Sequence, residues 1–370
     1  MKYEGLAAWV ALGLVPGVGP RRFAALLARF GSPEAVWKAR EPELAATSEI
    51  GSAVARAIIA ARGRVDPMAH IKKALAVGAR IIRWNDPEYP ARLMHIYDPP
   101  PTLYVKGQLP PADSPAVAVV GSRKPTAYGL KVAEALARDL ASRGVAVVSG
   151  MARGIDSAAH RGALAAGGPT VAVLGSGIDV VYPSENRALY DRIAQSGAVV
   201  SEFPTGTKPE SGNFPARNRV ISGISQGVVV VEAAEKSGSL ITVDCAVDQG
   251  REVFAVPGPV NVPTSRGPHR LIKQGACLVE SAADILEELG LAPARPSGGA
   301  PSTEAASAAN PPLTPAEARV FGFIGPLDAT VDEIARSAGL PAHEAGAALV
   351  MLEIRGLVRS LPGGRYIIAD

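Results

Sequence analysis

Cysteine is scarce in this 370-residue chain: Cys245 and Cys277 are the only two, and both lie in apolar stretches without metal-ligand spacing. That excludes a disulfide framework and predicts buried thiols in a reducing compartment. The five histidines (His70, His95, His160, His269, His343) stand singly, so no pair occupies one helix face as a metal site requires, and no metal is expected. Charge of either sign in excess is also lacking. The 38 Lys and Arg residues against 35 acids leave a net charge of +3, so there is no general basic coat and any nucleic-acid site must be local. No apolar run is long enough to cross a bilayer, and Glu4 and Gly5 stand where a secretory peptide would continue its apolar stretch; a cytoplasmic protein without membrane contact is expected. Missing too are G-x-G-x-x-G and the P-loop G-x-x-x-x-G-K-[ST], and no Ser, His and acid arrangement is suggested by spacing. Dinucleotide and P-loop chemistry are therefore disfavoured, and neither catalytic residues nor a cofactor are expected.

What is present is a chain 47% hydrophobic and 20% charged, large enough for several domains. Residues 1–66 open with Leu14-Val15-Pro16-Gly17-Val18-Gly19-Pro20, followed by Phe23, Leu26, Leu27 and Phe30 at helical spacing. This reads as a SAM-like, helix-hairpin-helix domain, with a weaker second copy around Ile50-Gly51-Ser52. Its glycine turn either presents amides to a phosphate or simply packs two helices, and the apolar spacing fits both.

Over residues 67–290 the pattern changes to short β-branched runs at 117–120, 145–148, 171–174, 198–200, 228–231, 253–256 and 277–279. Helical stretches at 130–140, 157–165, 185–193 and 240–247 separate them. Continuous apolar runs alternating with helices predict an α/β fold, a doubly wound, Rossmann-like sheet of about seven parallel strands. Residues 291–312, rich in Pro, Ala, Ser and Gly, read as a flexible linker. Residues 313–370 then read as a winged helix: helices over 331–338 and 342–355, then two short strands around Pro362-Gly363-Gly364. The second helix offers no basic residue before Arg355, which favours protein contact over duplex reading.

In an open α/β sheet, ligands sit beyond the carboxyl ends of the strands, so the loops after the strands are the candidate site. They carry Gly121-Ser122-Arg123 after the first expected strand, Ser149-Gly150 and Arg153 after the second, and Gly175 after the third. Glu232 and Ser237-Gly238-Ser239 follow the fifth. Several glycine-rich loops on one edge, two of them bearing Arg, predict an anion pocket made of backbone amides and guanidinium forks; tight strand-to-helix turns are the plainer alternative. Asp156 and Asp179, each just ahead of a helical stretch, read as helix caps. The segment TGTKPESGNFPARNRVIS (205–222) brings Lys208, Asn213 and Phe214 into one loop and opens a short helix on Arg217-Asn218-Arg219. Cations, an aromatic ring and amide groups together are what a single-stranded nucleic acid needs. The plainer reading makes Phe214 a core plug and the arginines surface pairs.

At these loops the sequence resembles the DprA/Smf family. The blocks are VAVVGSRKPTAYG, VVSGMARGIDSAAHRGAL, TVAVLGSGIDVVYPSENRALY, SEFPTGTKPESGNFPARNRVISG and SGSLITVDCAVDQGREVFAVPG, spanning most of residues 116–280. The resemblance implies an extended Rossmann-like domain that binds single-stranded DNA and forms a homodimer. It implies further that the strand is handed to RecA recombinase, against single-strand-binding protein, during natural transformation, with no enzymatic activity. Carried over residue by residue, the family's DNA pocket falls on Gly121, Ser122, Arg123, Lys208, Asn213, Phe214, Arg217 and Arg219.

Two rivals stand beside it. The fold type also resembles nucleotide phosphoribohydrolases with a P-G-G-x-G-T-x-x-E run, but Ser237 to Asp244 here lacks the double glycine and ends in Asp244 instead of Glu, so Asp244 is expected to be structural. A nucleotide-binding sensor using the same pocket is the other rival; cations spread over several turns favour a polymer.

Overall fold

The computed structural model describes residues 4–291, 313–323, 329–355, 357–361 and 365–368. They fall into two compact units, Met1–Arg295 and Pro296–Asp370.

The first unit is an α/β fold built on a nine-stranded sheet: β1 (Ala79–Arg83), β2 (Thr102–Gly107), β3 (Ala116–Val120), β4 (Ala146–Ser149), β5 (Thr170–Leu174), β6 (Ala198–Ser201), β7 (Gly227–Val230), β8 (Glu252–Ala255) and β9 (Cys277–Leu278). Their order is β1-β2-β6-β5-β4-β3-β7-β8-β9. Strands β3 to β9 are the seven expected from the apolar runs, and they pair in parallel. Two strands were not expected: β2 pairs antiparallel with β6, and β1 antiparallel with β2.

Period-two alternation divides the core. In β3, Val117 and Val119 face helices Ala127–Ser142 and Ile155–Ala165, whereas Ala118 and Val120 face helices Asn213–Ile224 and Ser239–Asp248. Every one of these strand residues is buried, and each valine so covered is worth roughly 1.5–3 kcal/mol of hydrophobic stabilisation. A sheet with helices on both faces leaves its strand ends as the open ground for a ligand.

Residues 1–66 do not stand apart from this sheet. Helices Glu4–Gly13 and Pro20–Phe30 flank the glycine hairpin, and Glu41–Ala45 and Ser52–Ala61 flank the second, weaker copy. Their core contains Trp9, Leu12, Phe23, Leu26 and Ile58, and Trp84 at the end of β1 packs against it. The rings of Trp9, Phe23 and Trp84 lie 5.2 to 5.4 Å apart, centroid to centroid. Helical region and sheet are thereby one unit. The two cysteines are half-buried, not fully buried as expected, and unpaired.

In the second unit, helices Pro315–Phe323, Val331–Ala338 and Ala342–Ile354 accompany a small sheet of β10 (Ala329–Thr330), β11 (Val358–Leu361) and β12 (Arg365–Ile368), ordered β10-β12-β11. Thr330 and Glu333 cap the middle helix reciprocally: Glu333 N donates to Thr330 Oγ1 at 3.3 Å and Thr330 N to Glu333 Oε2 at 2.8 Å. This is the expected winged helix. The Pro362-Gly363-Gly364 tip, and residues 292–312 of the expected linker, lie outside the described residues.

Candidate functional site

Strands β3 and β7 are neighbours, but the chain leaves them toward opposite faces, so their following loops diverge and open a cleft at the switch point. The cleft has a volume of about 750 Å³, and its walls come from the loops after β3, β4, β5, β6 and β7 and from helices Asn213–Ile224 and Ser239–Asp248.

The loop after β3 is pinned from below and free above. Ser122 N donates to the carbonyl oxygen of Glu232 at 2.6 Å, and Ile155 N donates to that of Ser122 at 3.2 Å. The buried carboxylate of Glu232 accepts from Thr126 N at 2.9 Å and Thr264 Oγ1 at 3.1 Å. Gly154 closes against this loop with φ +77°, and a Cβ there would stand 2.3 Å from the Ser122 oxygen. A loop held so firmly fixes Gly121 and Ser122 while Arg123 and Lys124 extend into solvent as the cleft's exposed cations.

The floor holds two buried charged groups, Arg217 and Asp156, each bonded to backbone. Arg217 Nη1 donates to the carbonyl oxygens of Gly150, at 2.6 Å, and Val173, and its Nε donates to Asn218 Oδ1 at 3.2 Å. Asp156 faces it and accepts from Gly150 N and Ala152 N, both at 3.2 Å. Burial pushes the Asp156 carboxyl upward despite Arg217, and holds the Arg217 guanidinium down to about 10. Each group offsets part of the other's burial cost through space. Asp156 is therefore not the helix cap expected of it, since Gly154 occupies that position. Asp179 caps no helix either; it accepts from Gly206 N at 2.8 Å and tethers the long loop after β6.

Phe214 sits among cations. The Arg123 and Arg217 guanidinium carbons lie 5.4 and 5.9 Å from its ring centroid, Tyr182 lies 5.7 Å away, and a Cβ on Gly175 would stand 2.8 Å from the ring edge. Guanidinium groups over a ring gain roughly 0.5–2 kcal/mol from its quadrupole, so the aromatic and the cations hold one another in place.

The remaining candidates scatter. Ser149 is buried and donates to the Val119 carbonyl at 2.7 Å, inside the sheet. Asn218 lines the cleft and donates to the Gly238 carbonyl at 3.2 Å. Arg153 lines a small recess beside the cleft with Tyr182 and Phe214, but pairs with Glu185 at the surface. Lys208 is exposed, and its carbonyl accepts from Asn213 Nδ2 at 3.2 Å. Arg219 does not join the site. Arg217, Asn218 and Arg219 lie inside helix Asn213–Ile224 and do not open it, and two residues along a helix turn a side chain to the far side. Arg219 thus pairs with Glu202 at 2.5 Å and Asp98 at 3.2 Å, with 12% of its side chain exposed. One cation serves two carboxylates there, and burial together with Asp98 raises Glu202 to about 7.

Two residues that sequence reasoning passed over belong to this site. Lys124 follows Arg123 directly, and its adjacency was the available signal. Tyr182, an aromatic before Pro183 in a loop after a strand, had the same kind of signal.

The sequence profile of the family described as DNA recombination-mediator protein A matches residues 80–290, and that of the DprA winged helix domain matches residues 304–364. Protein Smf of Synechocystis is 35% identical over 97% of this chain and 98% of its own. The X-ray structure of DNA processing protein A from Streptococcus pneumoniae aligns with a TM-score of 0.65 at 37% identity, covering 78% of this chain and 98% of that one. DNA processing protein A from Helicobacter pylori, whose structure is described as giving insight into a unique single-stranded DNA binding mode, aligns with a TM-score of 0.52 at 31% identity over 57% of this chain and 95% of its own.

Proposed function

Because the chain belongs to the DNA recombination-mediator protein A family, we propose that it binds single-stranded DNA in the switch-point cleft and delivers the strand to RecA recombinase. The observation that carries this reading is the pair of exposed cations, Arg123 and Lys124, lining the same cleft at the strand ends as Phe214, with Arg123 over the Phe214 ring. Exposed cations meet phosphates, and a ring set among them meets a base; a duplex, with its bases stacked and paired, offers the ring nothing. Lys208, on the loop leading into the same helix, and Asn213, its first residue, extend the track; Gly121 and Ser122 bring backbone to the cleft wall, while Gly150 and Gly175 make room for Arg217 and Phe214. In this reading the protein acts in the cytoplasm as a homodimer during natural transformation, covers incoming strand against single-strand-binding protein, and catalyses no reaction. Asp244 favours the non-enzymatic reading over a phosphoribohydrolase: it lines a different cavity, with Arg251 and Arg270.

Fluorescence anisotropy of labelled oligo-dT and of matched duplex, at two salt concentrations, tests the proposal. Preferential binding of the single strand, lost in a folded Arg123→Glu/Lys208→Glu variant, is expected. Equal binding by wild type and variant overturns it. Recombinase filament growth on strand coated with single-strand-binding protein is then the assay for delivery.

A further inference from the structure

We infer that Tyr182 is a second base-stacking platform, so that the cleft seats two bases of a single strand, one against Phe214 and one against Tyr182. The inference rests on the strand-binding reading of this cleft and sharpens it.

Phe214 alone offers limited surface. Its ring is half-buried, with Arg123 and Arg217 over it and Gly175 at its edge. Tyr182, by contrast, is 41% exposed. Its ring is tilted 39° to that of Phe214, so the two do not cover each other face to face. Among the described residues its hydroxyl makes no hydrogen bond, so nothing polar explains an aromatic held at the rim of a basic cleft.

The ring is also held in place by its neighbours. Val181 and Pro183 on either side are buried, and Asn186 Nδ2 donates to the Met151 carbonyl at 2.8 Å and Ser157 Oγ at 2.9 Å, fixing this loop to the one after β4. A platform with few ways to move loses little entropy when a base settles on it. Tyr182 borders both the cleft and the recess that holds Arg153, so a strand leaving Phe214 past Tyr182 has cations for its phosphates on both sides.

The test uses the full chain, labelled oligo-dT, and an abasic tract of equal length that keeps the phosphates without the bases. Measurements are made at low salt, where backbone contacts keep both bound. Tyr182→Ala is expected to weaken oligo-dT binding about tenfold, the loss of one stacked base. Tyr182→Phe should bind as wild type does, and all three should bind the abasic tract equally. Unchanged oligo-dT binding by Tyr182→Ala overturns the inference, as does an equal loss on the abasic tract, which would make Tyr182 a support for the cationic loop. If Arg123→Glu and Phe214→Ala also leave oligo-dT binding intact, the strand-binding reading itself falls; if they weaken it and Tyr182→Ala does not, only the second platform falls.

Discussion

Arg217 Nη1 donates to the carbonyl oxygen of Gly150 at 2.6 Å, joining residues 67 apart in sequence. With its second bond to Val173 it spans the ends of β4 and β5. The cleft floor is therefore also a strut of the sheet.

Replacing it should cost the fold before it costs the ligand. Arg217→Met leaves Asp156 buried without its counter-charge, and the expected loss is on the order of 3 kcal/mol, read as a lowered urea midpoint. Gly150→Ala should act in the same direction, because its Cβ would stand 2.7 Å from the guanidinium.

Arg123 is the opposite case. Its side chain is exposed, so Arg123→Ala should leave the unfolding free energy within about 1 kcal/mol of wild type, the share of its contact with the Phe214 ring. Oligo-dT affinity should fall, and the slope of log K against log salt should decrease by ~0.7, the share of one phosphate on a single strand. An unchanged slope would remove Arg123 from phosphate contact.

Lys208 and Arg219 were equivalent candidates in the sequence and should now separate cleanly. Lys208→Ala should weaken strand binding at constant stability. Arg219→Ala should lower stability first, because it strands Glu202 and Asp98 beside one another.

Acidity acts on two buried groups in opposite senses. His160 Nδ1 donates to Thr170 Oγ1 at 2.8 Å, since that hydroxyl gives its own proton to the Val147 carbonyl, and Nε2 has no partner. Burial, with Arg217 and Arg161 nearby, holds its pKa down to about 3. The unfolded chain takes this proton near pH 6.5, so its contribution is complete above that pH and is lost on acidification toward pH 3. The slope is about 1.4 kcal/mol per pH unit. Glu202 is raised to about 7, so the folded chain binds its proton first; that contribution is complete below pH 4.5 and is lost as pH rises to 7. Between pH 4.5 and 6.5 the two oppose one another. His160→Gln should leave stability that falls with rising pH in this window, and Glu202→Gln stability that rises with it, measured by urea midpoints at pH 5 and 6.5. Parallel profiles for both variants would contradict the assignment.

The central sheet was legible because parallel strands buried on both faces read as unbroken apolar runs. Strands β1 and β2 escaped because they pair antiparallel at the edge and carry Arg80, Arg83 and Lys106 among their apolar residues. The loops of the cleft were legible as glycine and arginine clusters. What sequence could not resolve was helix phase: Arg217 and Arg219 look alike as letters, and only the start of their helix at Asn213 decides which faces the cleft. Asp156 was misassigned for a related reason, since proximity to a helix start does not say whether a carboxylate caps that helix or reaches back into the preceding loop.

All three tryptophans lie away from the cleft: Trp9 and Trp84 in the cluster that joins the helical region to β1, and Trp37 with its indole nitrogen donating to the Ala8 carbonyl at 3.2 Å. Indole emission therefore reports whether the amino-terminal helices remain seated on the sheet edge and is blind to what occupies the cleft. Substitutions at Arg123, Tyr182 or Phe214 can thus be screened for integrity with the protein's own fluorophores while an oligonucleotide dye reports occupancy, two independent optical channels in one cuvette.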